Sequence, residues 1–130
     1  MDVSVTIERK EQYLRVIVSG ENTLTNVLAY MDEIYKACLT QNVNHVLIEE
    51  RLTGPNLDTF DVFEVVIKNF GRARTLGLRI AYVDLNADHS KRGLKFAENL
   101  AHIRGVNVAV FTDTETANPW LLQDLPGCAA

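Results

Sequence analysis

Cysteine is scarce in this sequence, with only Cys38 and Cys128, far apart in the chain. That usage fits neither a disulfide framework nor a metal knuckle, so no structural metal is expected. Cys38 falls among apolar positions at helical spacing and reads as a small core residue. Serine is also scarce: Ser4, Ser19 and Ser90 are the three present. None lies in a Gly-x-Ser-x-Gly string, which argues against a serine hydrolase. Glycine nowhere forms Gly-x-Gly-x-x-Gly or a phosphate loop, so no nucleotide cofactor is implied. No apolar run approaches the roughly 20 residues that span a bilayer. Positive charge is in deficit, with 13 Lys and Arg against 17 Asp and Glu, a net charge of −4 and a pI near 5.3. That balance argues against nucleic acid as a partner. The opening Met1-Asp2-Val3-Ser4 has no basic-then-apolar leader, and the expected location is cytoplasmic.

What is present reads as an ordinary globular chain. It has 130 residues, 47% hydrophobic and 23% charged, enough for one domain with a real core. The expected domain covers residues 1–125, with 126–130 as a frayed tail. Val3, Val5 and Ile7 alternate with polar residues, and so do Leu14, Val16 and Val18, so the two segments form a hairpin around Arg9–Gln12. Leu24, Val27, Leu28, Met31, Ile34, Tyr35, Cys38 and Leu39 recur at helical steps, ending near Asn42. Leu78 to Val83 is a buried strand closed by Asp84. Ser90 caps a third helix carrying Leu94, Ala97, Leu100, Ala101 and Ile103, and Gly105 ends it. Val106 to Phe111 is the last strand. Thr114 to Leu125 is a terminal helix that Pro119 must start or bend.

The chain is organised around Asn44 to Phe70. His45-Val46-Leu47-Ile48 is a short apolar strand of the kind covered on both faces. Glu49 to Leu57 reads as a polar loop, marked by Thr53-Gly54-Pro55-Asn56. Asp58 and Thr59 both offer oxygens to the N–H groups of a helix start. Phe60, Phe63, Val66, Ile67 and Phe70 then make one apolar face of a helix ending near Gly77. The order β-β-α-β-α-β-α-β-α predicts an α/β fold: a mixed, mostly parallel five-stranded sheet with an N-terminal β-hairpin and about four helices.

Several strings carry a family resemblance: Phe70-Gly71-Arg72-Ala73-Arg74, Leu78-Arg79-Ile80-Ala81-Tyr82-Val83-Asp84, Phe96-Ala97-Glu98-Asn99 and Ala117-Asn118-Pro119-Trp120-Leu121. On these the chain resembles the STAS domains of anti-sigma factor antagonists and sulfate transporters, and is most similar to the SpoIIAA-like branch, a set of small bacterial proteins. Nearly the whole chain is covered, chiefly by core positions. In antagonist members a serine at the start of the helix after the third strand is phosphorylated by a partner kinase, which blocks binding to that kinase. The family string there is Asp-Ser-Ser-Gly, and this chain has Asp58-Thr59-Phe60-Asp61. The resemblance therefore makes Thr59 the candidate phosphate acceptor, beside its plain reading as a helix cap. Sheet domains of this shape also occur in lipid-binding CRAL-TRIO proteins, which keeps an apolar ligand open.

Other candidates rest on the residues alone. Asp84-Leu85-Asn86-Ala87-Asp88 imitates the start of a calcium loop. His89 stands where the turn needs Gly, and Lys95 where a bidentate Glu belongs, so calcium is excluded. Glu49, Glu50, Asp84 and Asp113 fall near strand ends, where carboxylates can act as acid, base or ligands or simply face water. His45, His89 and His102 share no ligand spacing; His45 and His102 are expected at the surface or as satisfied residues, and no histidine is spaced to join those carboxylates. Lys68, Arg72, Arg74, Lys91 and Arg92 are expected on solvated helix faces. Phe60, Phe63 and Phe70 are expected in the core, and exposure of any would mark a partner surface.

The expected function is non-enzymatic: a regulatory protein-interaction module. It would work through the loop after the third strand (Thr53, Asn56) and the second helix (Phe60, Phe63). The partner would be a kinase or an anti-sigma-like regulator, and a homodimer is compatible. The alternative is a carrier of a small apolar or lipid-like ligand between the second helix and the sheet. A cavity behind that helix favours the carrier, an exposed apolar patch on it favours the module, and convergence of Glu49, Glu50 and Asp84 on an ion favours a metal protein.

Overall fold

The computed structural model describes residues 3–89 and 92–125, without the side chain of Phe70. Ser90, Lys91, Cys128 and the expected tail 126–130 lie outside the described residues.

Strands β1 (Ser4–Arg9) and β2 (Leu14–Glu21) form the expected hairpin. Helix α1 (Leu24–Gln41) crosses to β3 (His45–Thr53), α2 (Thr59–Thr75) to β4 (Arg79–Asp84), and α3 (Arg92–Ile103) to β5 (Asn107–Phe111). Helix α4 (Thr114–Leu122) closes the chain. The sheet order is β1-β2-β3-β4-β5, antiparallel at the hairpin and parallel beyond it. Because the order never reverses, right-handed crossovers put α1, α2 and α3 on one face. Their core joins Val16, Val18, Val46, Ile48 and Ile80 of the sheet to Tyr30, Ile34 and Ala73. Helix α4 covers the opposite face, where Leu47, Ala81, Val83, Ala117 and Leu121 pack together.

Capping explains the helix boundaries. Thr23 accepts from the Asn26 N–H at 3.1 Å, and Asp58 from the Asp61 N–H at 2.8 Å. Asn42 ends α1 in the left-handed region (φ 53°), as its short polar side chain permits. Pro119 lies inside α4, whose N-cap is Asp113. The Arg79 guanidinium donates to the Trp120 and Leu121 carbonyls at the other end of that helix and stacks 3.8 Å from the Trp120 ring centroid.

Two expectations fail here. Strand β3 does not stop at Ile48. It pairs with β2 as far as Glu21↔Thr53, so residues 49–53 of the expected loop are strand. The ladder satisfies their backbone, and Arg15 holds Glu49 by two hydrogen bonds of 2.7 and 3.0 Å, which removes the cost of strand charges there. Nor does the phenylalanine face of α2 enter the core. Phe60 is 73% exposed and Phe63 41%. The inward row is Val62, Val65, Val66, Asn69 and Ala73 instead, a second apolar stripe with the same period.

Candidate functional site

Register builds the site. Glu50 and Asp84 are direct partners on β3 and β4, so their side chains stand side by side at the carboxyl ends of neighbouring parallel strands. Alternation points both towards α1–α3, and it points Glu49 to the opposite face, against Arg15 and Arg51. The expected convergence thus includes Glu50 and Asp84 and leaves Glu49 out. Asp113 is spent capping α4.

The loop after β4 adds a residue that was not expected. Asp84 Oδ1 accepts from the Asn86 N–H at 3.0 Å, and Asn86 Oδ1 from the Asp88 N–H at 2.9 Å. The Asn86 amide also donates to the Leu52 carbonyl at 2.9 Å. These successive turns fold the chain back and bury His89 beside Asp84. The string that imitates a calcium loop is a device for placing a histidine. His89 Nδ1 lies 2.9 Å from Asp84 Oδ2, and Nε2 lies 2.8 Å from the Gly54 carbonyl oxygen. Both nitrogens face acceptors, with the Asn86 amide nitrogen also 3.3 Å from Nε2, and the two acceptors favour the doubly protonated ring. Burial works against that charge, but the Gly54 carbonyl and the Asp84 and Glu50 carboxylates outweigh it and raise the His89 pKa. His89 therefore joins the carboxylates, against the expectation that no histidine would. The other two are satisfied residues: His45 bonds Asn44 and Asp124, and His102 bonds the Val108 carbonyl.

Glu50 is 3% exposed, and its Oε2 accepts from the Tyr30 hydroxyl. Burial raises its pKa, and the nearby Asp84 charge adds to the effect. Hydrogen bonds from Tyr30 and Tyr82 and the His89 charge offset only part of it. The Tyr30 and Tyr82 phenols are pushed well above their ordinary value by burial and by the Glu50 charge. Among the described residues, ligand-type atoms of Glu50, Asp84 and His89 lie within 4.8 Å of one another. Both ring nitrogens of His89 are engaged within the protein, Nδ1 by Asp84 and Nε2 by Gly54.

The cluster forms one end of a cavity of about 150 Å³ between the sheet and the helix layer. Val62, Val65 and Val66 of α2, Ala97 of α3, and Ile80 and Val108 of the sheet make apolar walls. Asn56 and Leu57 also line it, and Asn56 is exposed, so the loop before α2 forms part of the rim.

The remaining candidates sit on the outside. Asp58 is the N-cap of α2, and Thr59 is its first residue, with an exposed side chain. Thr53 ends β3 and donates to the Gly20 carbonyl at 3.2 Å. Phe60, Phe63 and Ile67, the last 38% exposed, form an outward row on α2. Of the expected basic residues, Lys68 pairs with Glu64 and Arg72 with Asp32 on helix surfaces.

Comparison with solved structures places this architecture. A serine-to-glutamate variant of RsbS from Moorella thermoacetica superposes with a TM-score of 0.57 at 19% identity, covering 92% of this chain and 95% of that one. A protein of the DUF3478 family from Shewanella loihica, described as having a SpoIIAA-like fold, superposes with a TM-score of 0.51 at 20% identity over 92% and 93% of the two chains. This chain has the SpoIIAA-like STAS fold. At the level of sequence, no family model and no curated protein matches it. Among the described residues, no helix is long and apolar enough to cross a membrane.

Proposed function

We propose that this chain is a non-enzymatic regulatory module that docks a protein partner on the N-terminal half of α2 and the loop before it. One observation carries the reading: α2 has two apolar stripes and the fold uses one. Val62, Val65 and Val66 face the sheet, while Phe60, Phe63 and Ile67 face outward. An apolar row bordered by Asp61, Glu64 and Lys68 has the make-up of an interface centre with a polar rim. Thr59 and Asn56 lie next to it and are exposed. The resemblance to antagonist proteins supplies the kind of partner, a kinase or an anti-sigma-like regulator. A phosphate on Thr59 would sit at the positive end of α2 but also beside Asp58 and Asp61.

The test is a quantitative pull-down with the unmodified chain, the Phe60→Ser/Phe63→Ser double variant and Thr59→Glu. The expected result is loss of the partner with the double variant at unchanged circular dichroism, and altered recovery with Thr59→Glu. Equal recovery by all three removes the docking surface and the switch together. Sedimentation of the same variants reads self-association through the same row.

A second reading, a chamber for a small ligand, has its own support in the cavity behind α2. A void of about 150 Å³ that is both apolar-walled and polar-ended is more than packing requires.

A further inference from the structure

The polar end of the cavity restricts what can enter it. A chamber of about 150 Å³ is the size that accommodates a single six-membered ring. At that end Asp84 and His89 form a pair, with both imidazolium N–H groups committed to Asp84 and to the Gly54 carbonyl. Glu50 stands beside the pair as a buried carboxyl with no cationic hydrogen-bond partner among the described residues. The donors to its carboxyl group are phenols, Tyr30 and Tyr82, whose hydroxyls lie 3.5 Å from each other. Both tyrosine side chains line the same cavity.

Three classes of headgroup compare as follows. A carboxylate or phosphate would meet Glu50 and Asp84 at close range in a water-poor site, where like charges repel most strongly. A neutral hydroxyl would add one hydrogen bond and bring Glu50 no counter-charge. An ammonium group would pair with Glu50 and donate to the hydroxyl oxygens of Tyr30 and Tyr82 beside it. The ion pair would form where the dielectric is low and the carboxylate is already desolvated, so that part of its cost is met by folding.

We infer that the cavity is a site for a small organic cation, an amine with a compact apolar body, whose ammonium sits against Glu50 beside Tyr30 and Tyr82. This assignment rests on the second reading above, that the cavity is a ligand chamber, and adds the headgroup. The apolar body lies against Val65, Val66 and Ala97. Entry is by the rim at Asn56 and Leu57, next to the proposed docking row, so an occupied chamber and a docked partner would meet at the same end of α2.

The probes are benzylamine, benzyl alcohol and benzoate, which share a ring and differ in head charge. Each is titrated at near-neutral pH into the full chain, followed by amide and methyl resonances. Benzylamine is expected to saturate, with shifts at Val65, Val66 and Ala97. Benzyl alcohol is expected to bind about tenfold more weakly, the loss of a single ionic contact, and benzoate not to bind. Glu50→Gln keeps the shape and removes the charge, and should bring benzylamine to the level of benzyl alcohol. Ala97→Leu fills the chamber and should abolish both, which decides the matter if Glu50→Gln does not fold. Equal binding of amine and alcohol, or any preference for benzoate, overturns the headgroup and leaves the chamber. Binding of none of the three overturns both. Undiminished benzylamine binding to Ala97→Leu places the amine elsewhere and also overturns the inference.

Discussion

Replacing His89 with alanine tests whether the imidazolium holds the site together. The ring makes two contacts, to Asp84 Oδ2 at 2.9 Å and to the Gly54 carbonyl at 2.8 Å. Gly54 is exposed, so water replaces the second at little cost. Asp84 is buried and, among the described residues, keeps the Asn86 N–H, 3.0 Å from its other oxygen. Removing one partner of a buried pair costs about 3–5 kcal/mol. The retained Asn86 bond puts this case at the lower end, about 3 kcal/mol, or roughly 10 °C in Tm for a chain of this size. The sign of the pH dependence follows from the raised His89 pKa. The stabilisation by the imidazolium is complete below the ordinary histidine value of 6.5 and is lost as the pH rises through the higher value in the fold. The deficit of His89→Ala is therefore largest in mildly acid solution and shrinks at alkaline pH. Urea unfolding, read from the fluorescence of the single tryptophan, Trp120, measures it. Adding Asp84→Asn to His89→Ala should recover part of the loss, because the stranded charge is then gone. A deficit below about 1 kcal/mol, as for an exposed pair, would refute the reasoning. So would a deficit that does not change with pH.

Other substitutions separate stability from docking. Phe60→Ser should leave the unfolding free energy within about 0.5 kcal/mol, since an exposed side chain gives up no burial; thermal denaturation checks this. Asp58→Ala should cost about 1 kcal/mol as a lost N-cap, while Thr59→Ala, one residue into the helix, should cost far less; urea titration of the two variants compares them. Leu121→Ala, which empties a fully buried position where α4 meets the sheet, should cost about 2–5 kcal/mol by the same measurement.

The order of elements was legible because each crossover is short and each element shows its period. Leu14, Val16 and Val18 are completely buried, as their alternation demands. Helix α2 shows where periodicity stops being informative. Its residues carry two apolar rows that both recur at helical steps, Phe60-Phe63-Ile67 and Val62-Val65-Val66 continuing to Ala73, and period alone does not say which one meets the sheet. Size favours the phenylalanines, but the valine row is the one turned inward, leaving behind it a chamber rather than filled space.

The candidate site is legible only in pieces for a related reason. Glu50 and Asp84 were visible as strand-end acids, but their adjacency is a matter of register between β3 and β4. Register depends on pairing at a distance of 34 residues, which no local pattern encodes. Glu49 differs from Glu50 by one position and lies on the other face of the sheet, a distinction that disappears when both are read as loop instead of strand. His89 did have a local signal. Asp84-x-Asn86-x-Asp88 is a run of side chains that bond the backbone two residues on, and such a run reverses the chain whether or not calcium is present. A residue that follows it returns to the carboxylate that begins it. Read as turn chemistry, that string brings His89 to Asp84 and gives the strand-end acids a histidine neighbour.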